Sequence, residues 1–165
     1  CYGVGCLILG MPGIGKSETA LELVERGHRL VADDVVMLQR RREDTLYATA
    51  TEVVEHHMEI RGVGLVDVGS IFGVGRVLNS KPISLVIDLE EWREDTHYDR
   101  TGLSENYVTL LGVSVPHLVI PVRPGRNIAI IVEVASLNHR LKELGHHTAM
   151  RFNNRLKQFM DNREP

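Results

Sequence analysis

The sequence predicts one α/β domain, built on a mixed sheet that carries a phosphate-binding loop and ends in helices. Three observations lead to this fold class. A short apolar run, a glycine-rich loop and an amphipathic segment follow one another near the start, in the order strand, loop, helix. Strand-like apolar runs continue through the middle, and two helical periodicities occupy the last quarter. The 165 residues fit a single domain, residues 1–165, with no internal repeat or linker.

The front of the chain has the pattern of a strand, a helix and a second strand. Residues 4–9 form an apolar run that ends in glycines, as a buried strand does. Residues 16–26 have helical spacing, and Gly27 follows where glycine commonly ends a helix. Residues 30–32 predict a short second strand that runs directly into two aspartates.

The middle of the chain is predicted to be mostly strand. Residues 35–39 and 46–50 flank a charged turn and predict a hairpin. Residues 62–75 carry five glycines, which predicts an irregular loop with a short strand inside it. Residues 83–89 are mostly apolar, as expected of a central strand that is buried on both faces.

The last quarter predicts one strand and two helices. Residues 118–122 read as a strand, and the prolines at 121 and 124 favour a sheet edge or the end of a strand. Residues 128–144 begin with β-branched residues, yet their apolar spacing fits a helix, and Asn127 before them is a good N-cap. The residues with this spacing are Ile130, Val134, Leu137, Leu141 and Leu144. Residues 152–160 predict a second amphipathic helix.

The composition argues against nucleic-acid and membrane partners. The chain has 19 basic and 22 acidic residues, and its net charge of −3 is not that of a polycation binder. No apolar run approaches the roughly 18–20 residues that span a bilayer. Cys1 and Cys6 lie at opposite-facing positions of a strand, so we expect two free thiols and a cytoplasmic protein. Residues 121–165 carry 8 basic and 4 acidic residues, and this net charge of +4 makes them a candidate docking surface.

A nucleotide-binding motif follows the first predicted strand. It matches the pattern G-x-x-x-x-G-K-[ST] at every fixed position, with a strand before it and a helix after it. Glycines let backbone N–H groups surround phosphate oxygens, the lysine reaches the β- and γ-phosphates, and the hydroxyl can bind Mg²⁺. The sequence therefore predicts binding of a nucleoside triphosphate by Gly10, Met11, Pro12, Gly13, Ile14, Gly15, Lys16 and Ser17.

Two adjacent acids, Asp33 and Asp34, follow the second predicted strand. Carboxylates beside a phosphate-binding loop commonly hold Mg²⁺ or accept a proton from the attacking hydroxyl. Two neighbours allow a division of these roles, with one acid near the metal and the other acting as the base.

These segments together resemble the catalytic domain of the bacterial HPr kinase/phosphorylase family. The resemblance lies in residues 10–19 with 26–34, in Met58–Val68 (MEIRGVGLVDV), in Tyr98-Asp99-Arg100 and in Pro121–Asn127 (PVRPGRN). They occur in the expected order and cover nearly the whole chain. The nucleotide motif is generic, whereas the other segments are specific.

The resemblance implies a cytoplasmic serine kinase that uses ATP and Mg²⁺ to phosphorylate HPr, a phosphocarrier protein of sugar transport. It also implies that the same site removes the phosphate by phosphorolysis with inorganic phosphate. The implied fold is related to phosphoenolpyruvate carboxykinase, and the implied assembly is a homohexamer.

The resemblance also assigns roles to single residues. Lys16 matches the phosphate-binding lysine, Asp34 the acid/base and Arg100 a catalytic arginine. Ser17 and Glu59 match magnesium ligands. The segment linked to dephosphorylation is Pro121, Val122, Arg123, Pro124, Gly125 and Arg126.

The chain departs from the family at two places. Met11-Pro12 replaces the usual Asp-Ser, which removes a carboxylate and one backbone N–H from the loop. The family's N-terminal regulatory domain and the His-Gly pair before the first strand are absent, so we expect a catalytic fragment. Two alternatives remain open: a carboxykinase-like kinase of a small molecule, and a nucleotide-gated regulatory module without catalysis. No Asn-Lys-x-Asp segment is present to read guanine, which argues against a GTPase.

Overall fold

The computed structural model describes residues 1–41, 44–99 and 102–161, which begin with a strand and a helix and end in two helices. The strands are β1 (Cys6–Gly10), β2 (Met37–Arg41), β3 (Thr45–Thr49), β4 (His57–Ile60), β5 (Gly64–Asp67), β6 (Ser80–Pro82), β7 (Leu85–Glu91), β8 (Asn106–Leu110) and β9 (Val113–Val122). The helices are α1 (Lys16–Glu25), α2 (Val68–Phe72), α3 (Ile128–Glu143) and α4 (Thr148–Asp161). Within these ranges, no helix has both the length and the apolar character needed to cross a membrane.

A four-stranded mixed sheet organises the fold, with the strand order β1-β7-β9-β8. Strands β1, β7 and β9 are parallel, whereas β8 is antiparallel to β9. The carboxyl ends of the three parallel strands therefore meet at one edge, where Gly10 pairs with Leu89 and Glu91 with Val122. This sheet and the helices after it confirm the predicted α/β class, and the central position of β7 confirms the central strand.

The two faces of this sheet have different covers. Helices α1 and α3 cover one face, where Leu23 and Val132 pack with Ile87. A second sheet, with the order β2-β3-β6, covers part of the other face through Leu46, which packs with Val86. A two-stranded hairpin of β4 and β5 packs with α2 against α1. Residues of β1 and α1 are thus packed in the core, and this packing fixes both ends of the loop between them.

Predictions that rested on local signals are confirmed. Strands β2 and β3 form the expected hairpin, and α1 ends just before Gly27, which has φ +111°. Residues 128–143 are helical, and the Asn127 side chain accepts a hydrogen bond from the N–H of Ile130 at 2.9 Å. Cys1 and Cys6 are both free.

Two predictions in the first half need correction. Residues 30–32 do not form a strand: Leu30 makes a single parallel bridge to Val77. Three residues further on, Asp33 is held by side-chain contacts instead of a ladder. Residues 62–75 contain the expected short strand, β5, but continue into α2 and a 3₁₀ turn at Val74–Arg76. The Asp67 side chain caps α2 by accepting from the N–H of Ser70 at 3.0 Å.

The other corrections concern β9 and α3. Strand β9 is ten residues long and internal, so the edge position is wrong. The strand does end at Val122, and β8 pairs only as far as His117, which leaves Pro121 on the part of β9 with one neighbouring strand. The apolar stripe of α3 faces outward, since the buried residues of the helix are Ile128, Ala129, Val132, Glu133 and Ser136.

One carboxylate on this buried face joins three parts of the chain. Glu133 is 6% exposed and accepts from the Nε and Nη2 atoms of Arg26, with the Nε contact at 2.9 Å. A ring nitrogen of His28 lies 2.8 Å from its other oxygen, and the Tyr2 hydroxyl lies 3.4 Å away. The hydrogen bonds from Arg26, and then from His28, hold the pKa of Glu133 below its usual range. The cluster fixes the end of α1 against α3.

Replacing Glu133 by Gln should destabilise the protein, because a buried amide accepts less strongly than a carboxylate from the half-exposed Arg26 and from His28. We expect a loss of about 2 kcal/mol, or roughly 4–8 °C in Tm, by thermal unfolding at pH 7. Because the pKa of Glu133 is lowered in the folded state, its contribution is complete above the unfolded value of about 4.3 and is lost as pH falls through the folded value.

The control is Glu143→Gln on the same helix, which changes an exposed carboxylate that lies 3.5 Å from His139. It should shift Tm by about 1–2 °C or less. A Glu133→Gln variant with the same Tm as the control variant would show that the cluster adds little to stability.

Candidate active site

The glycine-rich loop joins β1 to α1 at the edge where the parallel strands end. Two of its glycines are required by geometry. A Cβ at Gly10 would stand 2.7 Å from the carbonyl oxygen of Leu89, and Gly13 has φ +84°, which favours glycine. The loop therefore runs close to the sheet and turns back to begin α1.

The tip of this loop is a tight turn. The N–H of Ile14 donates to the carbonyl of Met11 at 3.2 Å, with Pro12 and Gly13 as the two central residues. Proline followed by a glycine of positive φ is the preferred pair for a type II turn. Pro12 thus removes a backbone donor from the loop but has the backbone geometry that the turn needs.

Lys16 is folded onto the glycine-rich loop. Its Nζ donates to the carbonyls of Gly10 at 2.9 Å and Met11 at 3.2 Å. Helix α1 begins at this residue, and its N-cap, Gly15, offers no side chain to the first N–H groups. The lysine charge and the open helix start point to one place, which suits an anion with several oxygens such as a polyphosphate.

Ser17 connects the loop to Asp33. Its Oγ donates to the Asp33 carboxylate, with distances of 2.9 and 3.2 Å to the two oxygens. The N–H of Glu59 on β4 also donates to Asp33, at 3.4 Å. Burial raises the pKa of Asp33, the Ser17 hydrogen bond opposes this rise, and the charge of Asp34 adds to it. The structure therefore brings three of the predicted segments together at one carboxylate.

Asp34 and Glu59 differ from Asp33 in their surroundings, since both are exposed. Asp34 lies beside the Ser17–Asp33 pair with its side chain open to solvent, as a group that meets an incoming substrate should be. Hydroxyl and carboxylate oxygens such as those of Ser17, Asp33 and Glu59 suit Mg²⁺, which commonly takes one or two protein carboxylates and completes its shell with phosphates and water. No group of three or more His, Cys, Asp or Glu side chains in the described part of the chain could hold a metal ion.

Arg61 is a site residue to which the sequence argument gave no role at the phosphates. It lies at the tip of the β4–β5 hairpin, and its Nη1 atom is 3.6 Å from where a Cβ on Gly13 would stand. The hairpin thus brings a second cation over the glycine-rich loop. Only the long-range packing of the hairpin against α1 places it there, so no local sequence signal could have found it.

The residues that the resemblance links to dephosphorylation lie further along the same edge of the sheet. Arg123 and Arg126 follow β9, and Arg126 donates to the carbonyl of Pro121 at 2.7 Å. Arg123 is exposed and lies over the ring of Trp92. Arg100, predicted to be catalytic, lies outside the described residues. Asp99 before it accepts from the N–H of Gly102 at 3.0 Å.

A cavity of about 580 Å³ borders the site on the side of α1 and β1. Lys16 and Asp33 line the cavity, as do His28 and Lys81. Strand β1 is the last strand of its sheet on this side. Space is therefore available next to the lysine and the buried acid.

This arrangement has the parts needed for phosphoryl transfer. A lysine and an open helix start can hold a polyphosphate, a serine–aspartate pair offers oxygens that could hold a metal ion, and an exposed aspartate lies beside them. Electrostatic stabilisation of the transferred group and proton abstraction from its acceptor are the two tasks such a site performs.

Comparison with known proteins gives a consistent result. Residues 1–156 match the family model described as the HPr Serine kinase C-terminal domain. An HPr kinase/phosphorylase of Caldanaerobacter subterraneus subsp. tengcongensis is 57% identical over 161 residues, which are 98% of this chain and 53% of that protein. One of Geobacillus thermodenitrificans is 55% identical over 163 residues, again 53% of its length.

A solved structure is also similar. The Hpr(Ser) kinase/phosphatase from Coxiella burnetii superposes with a TM-score of 0.79 at 35% identity, covering 90% of each chain. The present chain spans about half the length of the curated relatives it matches.

The raised pKa of Asp33 leads to a stability prediction. A carboxylate that ionises less readily when folded destabilises the protein at neutral pH, so Asp33→Asn should raise Tm at pH 7 by about 1–3 °C. Since the amide oxygen still accepts from Ser17, the gain should shrink as the pH falls below about 4, where the unfolded aspartate is protonated as well.

Thermal unfolding between pH 3 and pH 8 measures this difference. The control is Asp34→Asn, which should give a smaller rise, because it relieves only the repulsion between the two acids. A fall in Tm for Asp33→Asn at pH 7 would contradict the prediction.

Proposed function

Because the chain belongs to the HPr serine kinase C-terminal domain family, we propose that it is the catalytic part of an ATP-dependent kinase of a serine in HPr. The same site would also dephosphorylate phosphoserine-HPr with inorganic phosphate and so regulate carbon metabolism. The observation that carries this proposal is the Ser17–Asp33 hydrogen bond, which joins the glycine-rich loop to the acid pair. HPr kinase/phosphorylases are also relatives in which more than half of the aligned residues are identical to this chain.

The glycine-rich loop acts in this proposal as a P-loop in a fold related to phosphoenolpyruvate carboxykinase. Lys16 would leave the carbonyls that it now contacts and bind the β- and γ-phosphates of ATP. Arg61, close to Gly13, would add a second cation above them. Mg²⁺, held by Ser17 and Glu59 with Asp33 beside them, would neutralise part of the phosphate charge.

Forward transfer needs a base for the serine hydroxyl of HPr. Asp34 is exposed and lies next to the Ser17–Asp33 pair, so it can meet a serine presented from solvent. A bond forms between the serine oxygen and the γ-phosphorus, and the bond from that phosphorus to the β–γ bridging oxygen breaks. The proton of the hydroxyl passes to Asp34, and ADP leaves. Arg100 would stabilise charge on the transferred group.

The backward reaction uses the same groups in reverse. An oxygen of inorganic phosphate bonds to the phosphorus of phosphoserine, and the bond to the serine oxygen breaks. That oxygen takes a proton from Asp34, which leaves a serine hydroxyl and pyrophosphate. The cations of the loop at residues 121–126, Arg123 and Arg126, lie at the carboxyl end of β9 and would bind the attacking phosphate.

The outward faces of the two C-terminal helices suit protein partners. The stripe of α3 that the sequence singled out is exposed, with Val134 at 59% and Leu144 at 68%. Helix α4 exposes Phe152 and Phe159 among basic residues. We propose that these faces serve a homohexamer and the docking of HPr. We expect the protein to act in the cytoplasm, where both free thiols stay reduced.

Lys16→Ala should abolish phosphoryl transfer, because the transition state then lacks the positive charge of Lys16 at the β- and γ-phosphates. Incubation with labelled ATP, Mg²⁺ and HPr, followed by analysis for phosphoserine, measures the rate. We expect less than about a tenth of the wild-type rate.

Arg40→Ala is the matched control, since Arg40 is an exposed cation on β2 that pairs with Asp44, away from the glycine-rich loop and the two C-terminal helices. Phosphorylation of a small molecule instead of HPr by the wild type would favour a carboxykinase-like enzyme. ATP binding with no transfer in either direction would favour the non-catalytic module.

Asp34→Asn should retain ATP binding and lose transfer. The amide keeps the shape of the carboxylate but cannot take a proton, and loss of a general base typically costs about 10²–10⁴-fold in rate. Nucleotide affinity by calorimetry and the initial transfer rate separate the two effects. If Asp33→Asn lowers the rate more than Asp34→Asn does, the roles of base and metal neighbour are reversed.

A further inference from the structure

The single tryptophan of the chain, Trp92, lies where the loops after β7 and β9 meet. It is the first residue after β7, and its backbone N–H donates to the carbonyl of Val122 at 3.0 Å. Its side chain is 39% exposed. This position is one residue beyond the pairing of Glu91 with Val122, at the sheet edge that carries the glycine-rich loop.

Tyr98 closes the loop after β7 onto this tryptophan. The two rings stack with centroids 5.0 Å apart and an interplanar angle of 28°. The Tyr98 hydroxyl accepts from the N–H of Arg93 at 3.2 Å and donates to the carbonyl of Glu91 at 3.4 Å. Stacking and main-chain hydrogen bonds together return residue 98 to the end of β7.

Arg123 contacts the same tryptophan from the loop after β9. Its guanidinium carbon lies 5.0 Å from the centroid of the Trp92 ring. A cation at this distance is attracted by the ring, and its side chain loses freedom without losing charge. Arg126, in contrast, is held by the carbonyl of Pro121. The partners shown for both arginines are neutral, so their positive charge stays available to an anion.

We propose that Trp92 is a positioning residue for inorganic phosphate, which orients Arg123 and joins its loop to the loop of Tyr98. The proposal rests on the proposed function, in which Arg123 binds the phosphate that attacks phosphoserine. We call Tyr98, Trp92 and Arg123 the Trp92 stack. Trp92 touches no reacting atom, and its effect passes through the orientation of Arg123.

The stack predicts a selective defect. Without the indole, Arg123 samples more rotamers and must be ordered when phosphate binds, so phosphate affinity falls. ATP is held by the glycine-rich loop and depends less on this arginine. Trp92→Leu should therefore weaken inorganic phosphate about three- to ten-fold, as expected for the loss of one cation–π contact and one aromatic pair.

Two measurements test this expectation. Calorimetric titration with inorganic phosphate gives Kd without any turnover, and initial rates of phosphoserine-HPr dephosphorylation give KM for phosphate separately from kcat. We expect the larger change in Kd and KM for phosphate and smaller changes in kcat and in KM for ATP. Trp92→Phe, which keeps an aromatic face, should recover most of the phosphate affinity. Tyr107→Leu, which removes an exposed aromatic ring from β8, is the matched control and should behave as wild type.

A double-mutant cycle decides whether Trp92 acts through Arg123. In an Arg123→Ala background, Trp92→Leu should add no further loss of phosphate affinity, because the group that it positions is absent. Trp92 emission is a second readout: Arg123→Ala and Tyr98→Leu should each shift it to longer wavelength as the ring becomes more solvated.

The outcomes separate this proposal from the proposed function. Suppose that Trp92→Leu weakens phosphate binding in the wild-type background but not in the Arg123→Ala background, while the wild type does not turn over HPr. This result supports the positioning role and overturns the proposed function. Wild-type turnover with unchanged phosphate affinity in Trp92→Leu overturns the positioning role alone. The positioning role is also overturned if the losses of phosphate affinity in the cycle are additive, or if Arg123→Ala leaves the Trp92 emission wavelength unchanged.

Discussion

A carboxylate that is almost completely removed from water must find donors inside the protein, and Glu133 finds them in two separate segments. Arg26 comes from the end of α1, His28 from the segment after it and Tyr2 from the start of the chain. Burying this charge without these partners would be strongly unfavourable, so the segments must arrive together. The contact of His28 with Glu133 therefore fixes the start of the segment, residues 28–33, that ends at Asp33.

The catalytic arrangement that we propose depends on that path and on the common edge of the parallel strands. The glycine-rich loop follows β1, Trp92 follows β7, and the loop with Arg123 and Arg126 follows β9. Side chains at the carboxyl ends of neighbouring parallel strands are close in space although they are far apart in sequence. One sheet edge can thus hold the nucleotide and the second phosphate side by side.

Sequence reasoning worked where the determinant is local. The turn-forming residues of the glycine-rich loop and the Asn127 cap each act within a few positions, so the loop, α1 and α3 could be predicted. The buried face of α3 could not, because both of its faces are apolar and the sheet takes the one with Val132.

The same distinction applies to the candidate site. Lys16 and Ser17 are fixed by their motif, and the acid pair was found by its position after an apolar segment. That Asp33, the more buried acid, contacts Ser17 depends on tertiary packing, and so does the approach of Arg61. Residues brought together by different elements have no mutual signal in a single sequence.

Pro12 changes the entropy of the loop. A proline at the second position of the turn fixes one backbone dihedral before any ligand arrives, so the loop has fewer conformations to lose on closing around phosphates. The exchange of an N–H donor for rigidity trades enthalpy of binding for preorganisation. Nucleotide binding by this loop should therefore show a smaller unfavourable entropy than binding by a loop with a flexible residue there.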